Sequence, residues 1–195
     1  MKEQILSYEL TLPQRIYPHL DRLFSVFKNQ VNSYIPKLWN EKGFKLLSQK
    51  GSAVGILKKA FPTPEGLPSR VSRNILELTG QIIRSQMERK EVHCYFDLPH
   101  PKFNGQIVIT SADDNLEKGQ FRRLKFSGNF LEFSIKVPTQ KGWDWIKVKK
   151  LIPERLRRAL TKAKEVKAVL IKKVLLKSGY SIYRLVIPLS FEVNG

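Results

Sequence analysis

The sequence predicts an α+β protein: a small antiparallel β-barrel with a helical insertion after its first strand. Three observations carry that expectation. The apolar period is two near the N-terminus, becomes three and four through most of residues 14–90, and returns to two from about residue 91. The later strands are short and divided by turn residues, and short antiparallel strands that must hide their edges favour closure. The first strand, residues 4–12, is too short to stand alone and should join the later sheet. Residues 1–13 and 91–195 are therefore assigned to one β-domain, and residues 14–90 to the insertion.

In QILSYELTL (4–12), Leu6, Tyr8, Leu10 and Leu12 alternate with Ile5, Ser7, Glu9 and Thr11, and Pro13 ends the strand. Ile16, Leu20, Leu23, Phe24, Phe27, Val31, Tyr34, Ile35 and Leu38 then recur at three and four, the stripe of an amphipathic helix. Pro18 is tolerated near its start, whereas Pro36 should kink or end it. Glycines and prolines from Gly43 to Pro68 leave residues 41–68 as loops around one short basic helix near Lys58-Lys59-Ala60-Phe61. Ser69 is the expected N-cap of the next helix, with Val71, Ile75, Leu78, Ile82 and Ile83 inward and Arg70, Arg73, Glu77 and Arg84 outward. VHCYFDL (92–98), GQIVIT (105–110), QFRRLKFSG (120–128), FLEFSIKV (130–137) and WIKVKKL (145–151) are successive strands with Pro, Asp, Asn and Gly turns between them. Ile152-Pro153-Glu154 opens a short helix, with proline near its first position. EVKAVLIKKVLLK (165–177) and YSIYRLVIPLSFEV (180–193) close the domain, which by these features is OB-like.

The formal charge is +18 over 195 residues, and 42% of residues are apolar. That apolar share is enough for a core, which excludes a disordered basic tail. The single cysteine, Cys94, allows no internal disulfide and fits a reducing, cytoplasmic setting. The N-terminus does not read as a signal peptide, and no stretch is long and apolar enough to span a bilayer. An anionic membrane surface is a poor alternative, because the helix near 154–164 offers only Leu156, Ala159, Leu160 and Ala163 as an apolar face.

The charge concentrates in residues 141–184. The cations there are Lys141, Lys147, Lys149, Lys150, Arg155, Arg157, Arg158, Lys162, Lys164, Lys167, Lys172, Lys173, Lys177 and Arg184, against Asp144, Glu154 and Glu165. Regular apolar residues between them say that the segment folds, so it reads as a structured surface for nucleic-acid phosphates. Arg155, Arg158 and Lys162 recur at three and four on one helix face, which Arg157 and Lys164 are expected to extend to one side. Arg123 and Lys125 share one face of their strand, where phosphate contact competes with plain solvation. Trp143 and Trp145 share a side of theirs; a base-stacking platform and a cap on the barrel end are both open readings. Arg70 and Arg73 lie one turn apart near a helix N-terminus, open to duplex contact or to solvent.

Other chemistry is poorly supported. His93, Cys94 and His100 cluster without a CxxC or HxxxH partner for zinc. Asp113 and Asp114 read as turn residues, and with Asp97 they make no two-metal set. His19 has no nucleophile near it in sequence, and no phosphate-binding glycine loop is present. The sequence therefore implies no cofactor, no metal and no self-contained active site.

Four segments carry a resemblance: LFSVFKNQVNSYIPKLWN (23–40), LPSRVSRNILELTGQIIRSQ (67–86), LKFSGNFLEFSIKV (124–137) and IPERLRRALTKAKEVKAVLIKKV followed by GYSIYRLVIPLSFEV (152–193). In that order they resemble the N-terminal half of the transposon-encoded TnpB proteins and their relatives, the type V CRISPR effector nucleases. Each motif is loose, and the specificity lies in their order. The resemblance implies a wedge domain for the barrel and a recognition lobe for the insertion. It implies that Arg70, Arg73 and Asn74 approach the motif-bearing target double-stranded DNA and that residues 141–177 grip guide-RNA backbone. In the family a RuvC-like nuclease domain, opening with a catalytic Asp in an Asp-x-Gly context, follows the strand matching LVIPLSFEV. Here the sequence ends at Gly195, and neither the RuvC acids nor the zinc-finger cysteines occur. The expectation is a non-catalytic binding portion completed by a separate RuvC-type nuclease subunit. The alternative is a free-standing RNA-binding OB-like module. A third reading, an autonomous nuclease using Asp97, Asp113, Asp114 or His93, is the weakest.

Overall fold

A computed structural model describes residues 2–89, 99–109 and 120–193. In chain order the elements are β1 (Lys2–Thr11), a 3-10 turn (Gln14–Ile16), α1 (Tyr17–Leu38), α2 (Glu41–Leu47), α3 (Ala53–Ala60), α4 (Ser69–Met87), β2 (Ile107–Ile109), β3 (Phe121–Ser127), β4 (Phe130–Thr139), β5 (Gly142–Leu151), α5 (Glu154–Lys162), β6 (Glu165–Val166), β7 (Leu170–Leu175) and β8 (Ser181–Val193). The protein is α+β with antiparallel sheets, and it divides into two compact units: Met1–Phe24 with Gln106–Gly195, and Ser25–Gly105.

In the first unit β8 organises one sheet, in the order β1-β8-β7-β2 with β6 also on β8. β1 runs antiparallel to β8 from Lys2↔Val193 to Thr11↔Arg184 without a break, so the first strand does join the last. On its other side β8 pairs with β7 up to Leu170↔Val186 and with β6 from Val166↔Leu189. The gap falls at Ile187 and Pro188. The Pro188 carbonyl accepts from the Lys167 N–H at 2.9 Å, so its missing N–H faces the β6–β7 side, where no donor can continue the ladder. Tyr183, Leu185, Ile187 and Leu189 alternate inward from β8 and are all at most 1% exposed, meeting Leu10, Leu12 and Ile171 in the core. Each such aliphatic side chain contributes roughly 1.5–3 kcal/mol on burial.

The second sheet of this unit is β3-β4-β5. Leu131, Phe133, Ile135 and Val137 alternate as the buried side of β4, with Phe121 and Val148 beside them. The Phe121 and Phe133 rings stack at 4.5 Å. Gly128, at φ +57°, makes the tight β3–β4 turn with Asn129.

The second unit is helical. Phe27, Val31, Tyr34, Ile35 and Leu38 bury one stripe of α1, and Leu57, Val71, Ile75, Leu76 and Leu78 bury the facing sides of α3 and α4. Asn40 and Ser52 cap α2 and α3 by accepting from Gly43 and Gly55 N–H groups. α3 and α4 approach so closely at Gly80 that a Cβ there would sit 2.2 Å from the Ala53 Cβ. Arg84, expected to face solvent, instead donates to the Leu47 and Gly51 carbonyls at 3.1 and 3.0 Å, satisfying the end of α2 and the loop after it.

Several expectations are corrected. No sheet among the described residues closes into a barrel. β8, the strand that would close one, already has neighbours on both sides, and β3, β4 and β5 pair only among themselves. Residues 41–68 hold two helices, because Asn40 caps a helix that tolerates Gly43 within it. Pro68 takes the N-cap position assigned to Ser69. α1 passes Pro36 and ends at Leu38. Residues 165–177 form two strands, β6 and β7, split opposite Pro188. The strand expected at 92–98, with His93, Cys94 and Asp97, and the turn holding Asp113 and Asp114 lie outside the described residues.

Candidate nucleic-acid interface

The solvent side of β3-β4-β5 gathers charge and aromatic rings by register. Arg122 is opposite Ser134, and Ser134 is opposite Lys147; Lys125 is opposite Glu132, and Glu132 is opposite Lys149. Lys136 is opposite Trp145, and Phe130 is opposite Leu151. On β4 and β5 a period of two places these residues, and Trp143, on the face away from the Phe133–Val148 core; on β3, Arg122 and Lys125 share that face by their pairing with Ser134 and Glu132 although they are three apart. The Arg122 guanidinium lies 3.9 Å from the Trp145 ring centre, with Lys136 Nζ at 5.8 Å, and Lys149 Nζ lies 4.6 Å from the Phe130 ring.

A β-bulge shapes this face. Between Arg122↔Ser134 and Lys125↔Glu132, β3 uses one residue more than β4. Arg123 absorbs the difference at φ +59° and is the non-glycine residue with positive φ among those described. That conformation is costly for a residue with a Cβ. Beside the bulge lies a groove of about 310 Å³, lined by Arg15, Arg123, Lys125, Glu132, Phe133, Ser134, Lys147, Val148 and Lys149. Five of these are cations and one is an acid, Glu132, which Lys149 holds at 3.2 Å. Arg15 reaches the groove from the 3-10 turn and donates to the Lys147 carbonyl at 2.9 Å.

α5 presents a second basic surface. Leu156 and Ala159 face inward, and Arg155, Arg158 and Lys162 are exposed beside them. Arg157 does not extend that row. At 3.6 residues per turn it lies about 200° from Arg155, and it donates to Asn129 Oδ1 of the β3–β4 turn. Arg158 also donates to Glu154 Oε1, at 2.7 Å. Lys164 lies beyond the helix and pairs with Glu192 at 3.2 Å.

The β7 and β8 cations are paired by acids distant in sequence, and Lys167, before β7, by one near and one distant acid. Lys172 and Arg184 hold Glu9 at 3.2 and 3.0 Å, Lys173 lies 3.8 Å from Asp21, and Lys167 bridges Glu165 and Glu3 at 2.6 and 3.3 Å. The Arg184 hydrogen bond, helped by Lys172 and opposed by partial burial, holds the Glu9 carboxyl below its usual range. The Ser190 hydroxyl and the Lys167 ammonium beside it do the same for Glu3, and the Glu165 hydrogen bond raises the Lys167 ammonium. Burial, then a hydrogen bond to Asp21, pushes the Tyr183 hydroxyl upward. Lys172 and Lys173 are thus less available to phosphate than their spacing implies. Lys141, Lys150 and Lys177 lie on the same unit, in the β4–β5 turn, on β5 and after β7.

Arg70, Arg73 and Asn74 belong to α4 in the other unit. Arg73 is exposed and Arg70 half-buried, but Asn74 is only 6% exposed, so its side chain presents almost no surface. The sequence reading did not single out Arg15, Lys136 or Phe130. Lys136 and Phe130 were legible from the alternation of β4. Arg15 was not, being a lone cation brought to Lys147 across 132 positions.

Among the described residues no group of three His, Cys, Asp or Glu side chains is placed to hold a metal ion, and no helix is long and apolar enough to cross a membrane. No protein-family model matches the chain, and no curated protein matches it.

Proposed function

We propose that the protein binds nucleic acid without cutting it, using the basic face of β3-β4-β5 as its main contact and the exposed side of α5 as a second. The observation that supports this best is the groove where Arg15, Arg123, Lys125 and Lys147 converge with no carboxylate partner among the described residues, next to the cation-covered rings of Trp145 and Phe130. Fixed cations set against one another need a polyanion, and aromatic rings on the same surface offer contact to bases. The resemblance to TnpB and type V effectors supports a finer reading. In it the chain is the non-catalytic portion of an RNA-guided DNA-targeting system in the cytoplasm. It grips guide RNA through this unit, meets motif-adjacent duplex DNA through Arg70 and Arg73, and works with a separate RuvC-type nuclease subunit.

Sequencing the RNA that co-purifies with the protein tests the finer reading. One defined, structured RNA supports guide binding, whereas a heterogeneous mixture supports a free-standing RNA-binding module. Incubation with magnesium and either nucleic acid should leave both intact. Robust cleavage abolished by Asp114→Ala would overturn the non-catalytic reading.

A further inference from the structure

The groove on the three-stranded sheet is more specific than a basic patch. We propose that it is a site for unpaired RNA, in which Arg15, Arg123, Lys125 and Lys147 receive phosphates and Glu132 accepts from a ribose 2′-hydroxyl. The inference rests on the nucleic-acid reading above and names the ligand that this one site takes.

Three observations select that ligand. The first is size. Three strands about 4.8 Å apart span about 10 Å, and a volume of about 310 Å³ lies at the small end for ligand pockets. A nucleotide enters such a recess, while a duplex can only lie across its rim. The second is the aromatic flank: Trp143 and Trp145 on β5 and Phe130 on β4 share the face with the groove cations. Paired bases hide their faces in the stack, whereas unpaired ones can stack on rings or on a guanidinium such as Arg122, 3.9 Å from the Trp145 ring centre. The third is Glu132. A carboxylate among phosphate-binding cations repels the phosphates of RNA and DNA alike, but only RNA carries a 2′-hydroxyl that can donate to it and offset that cost. Lys149 at 3.2 Å holds it ready and tempers its charge.

Arg123 gives the proposal its sharpest test. Its left-handed backbone aims a guanidinium at the groove from within the bulge, at a position where glycine or asparagine would fit without strain. Arg123 is exposed and lines the groove, so its strain supports a contact role rather than core packing. Arg123→Gly and Arg123→Asn should therefore fold with an unchanged or higher Tm, yet lose about tenfold in affinity for a single-stranded RNA oligomer, the effect of one charge-assisted hydrogen bond.

The experiment measures binding of the full chain to one sequence as single-stranded RNA, single-stranded DNA and duplex, at one salt concentration, for the wild type, both Arg123 variants and Glu132→Ala. The wild type should favour single-stranded RNA, the Arg123 variants should weaken it, and Glu132→Ala should narrow the RNA-to-DNA ratio. Wild-type affinity in the Arg123 variants, an undiminished ratio in Glu132→Ala, or a loss of duplex affinity in the Arg123 variants as large as their loss for single-stranded RNA overturns the groove assignment while the nucleic-acid reading stands. A wild type that binds none of the three overturns both.

Discussion

Glu9 shows how single residues redistribute the charge of this protein. It comes from the first strand, and Arg184 and Lys172 hold it from the far end of the chain, at 3.0 and 3.2 Å. Its carboxyl titrates below the ordinary 4.5 when folded, so the folded state binds fewer protons than the unfolded one in that range. The stability it contributes is present above about pH 4.5 and is lost as pH falls through the depressed value. The side chain is 35% exposed, so screening limits the effect to about 1 kcal/mol or less. Denaturant melts should show Glu9→Gln weaker than wild type at pH 7, with a smaller difference at pH 3. A constant difference at both pH values would show that the ion pairs are not the cause. Tyr183 acts at the other end of the scale. Its hydroxyl is raised above the ordinary 10.0, so the unfolded chain ionises first as pH rises. Wild-type stability should therefore fall above about pH 10, and Tyr183→Phe should remove that fall while costing about 1–3 kcal/mol at neutral pH through the lost bond to Asp21.

At the scale of elements, period and turn chemistry made much of the fold legible. β1, α1, β3, β4, α5 and β8 lie where alternation or a three-four stripe places them. What stayed hidden depends on pairing, which sequence period does not encode. Residues 165–177 read as one strand, and only the donor missing from Pro188, on the partner, explains their division. The bulge at Arg123 carries no glycine signature, so the strand looked regular. A closed barrel was expected from short strands and edges, but edge avoidance does not say which strands pair. For the interface, residues on β5 were legible because alternation fixes their side, whereas on β3 the bulge brings Arg122 to the face of Lys125, which alternation does not announce, and Arg157, expected beside Arg155 and Arg158, turns to Asn129. α5 itself makes a direct prediction. Arg155→Glu, Arg158→Glu and Lys162→Glu together lie away from Leu156 and Ala159, so Tm should shift little while RNA affinity falls and its salt dependence flattens. Binding by the triple variant equal to wild type would remove α5 from the interface.

For the whole molecule, the surplus of +18 is unevenly available. Acids of β1, α1 and β8 neutralise cations of β7, β8 and the segment after α5, while the β3-β4-β5 face keeps Arg15, Arg123, Lys125 and Lys147 without carboxylate partners among the described residues. The long basic segment seen in the sequence therefore resolves into one concentrated surface and one largely internally balanced sheet. Four groove cations engaging four phosphates of a single strand give a slope of about −3 for log affinity against log salt, steeper if α5 adds contacts. The account rests on the β3-β4-β5 face being where the strand lies. The most direct measurement is photo-crosslinking of the full chain to a single-stranded RNA, with the linked residues mapped by mass spectrometry. The expected crosslinks fall on Phe130, Trp143, Trp145 and Lys147. Crosslinks confined to β1, β7 and β8, with that face untouched, would contradict it.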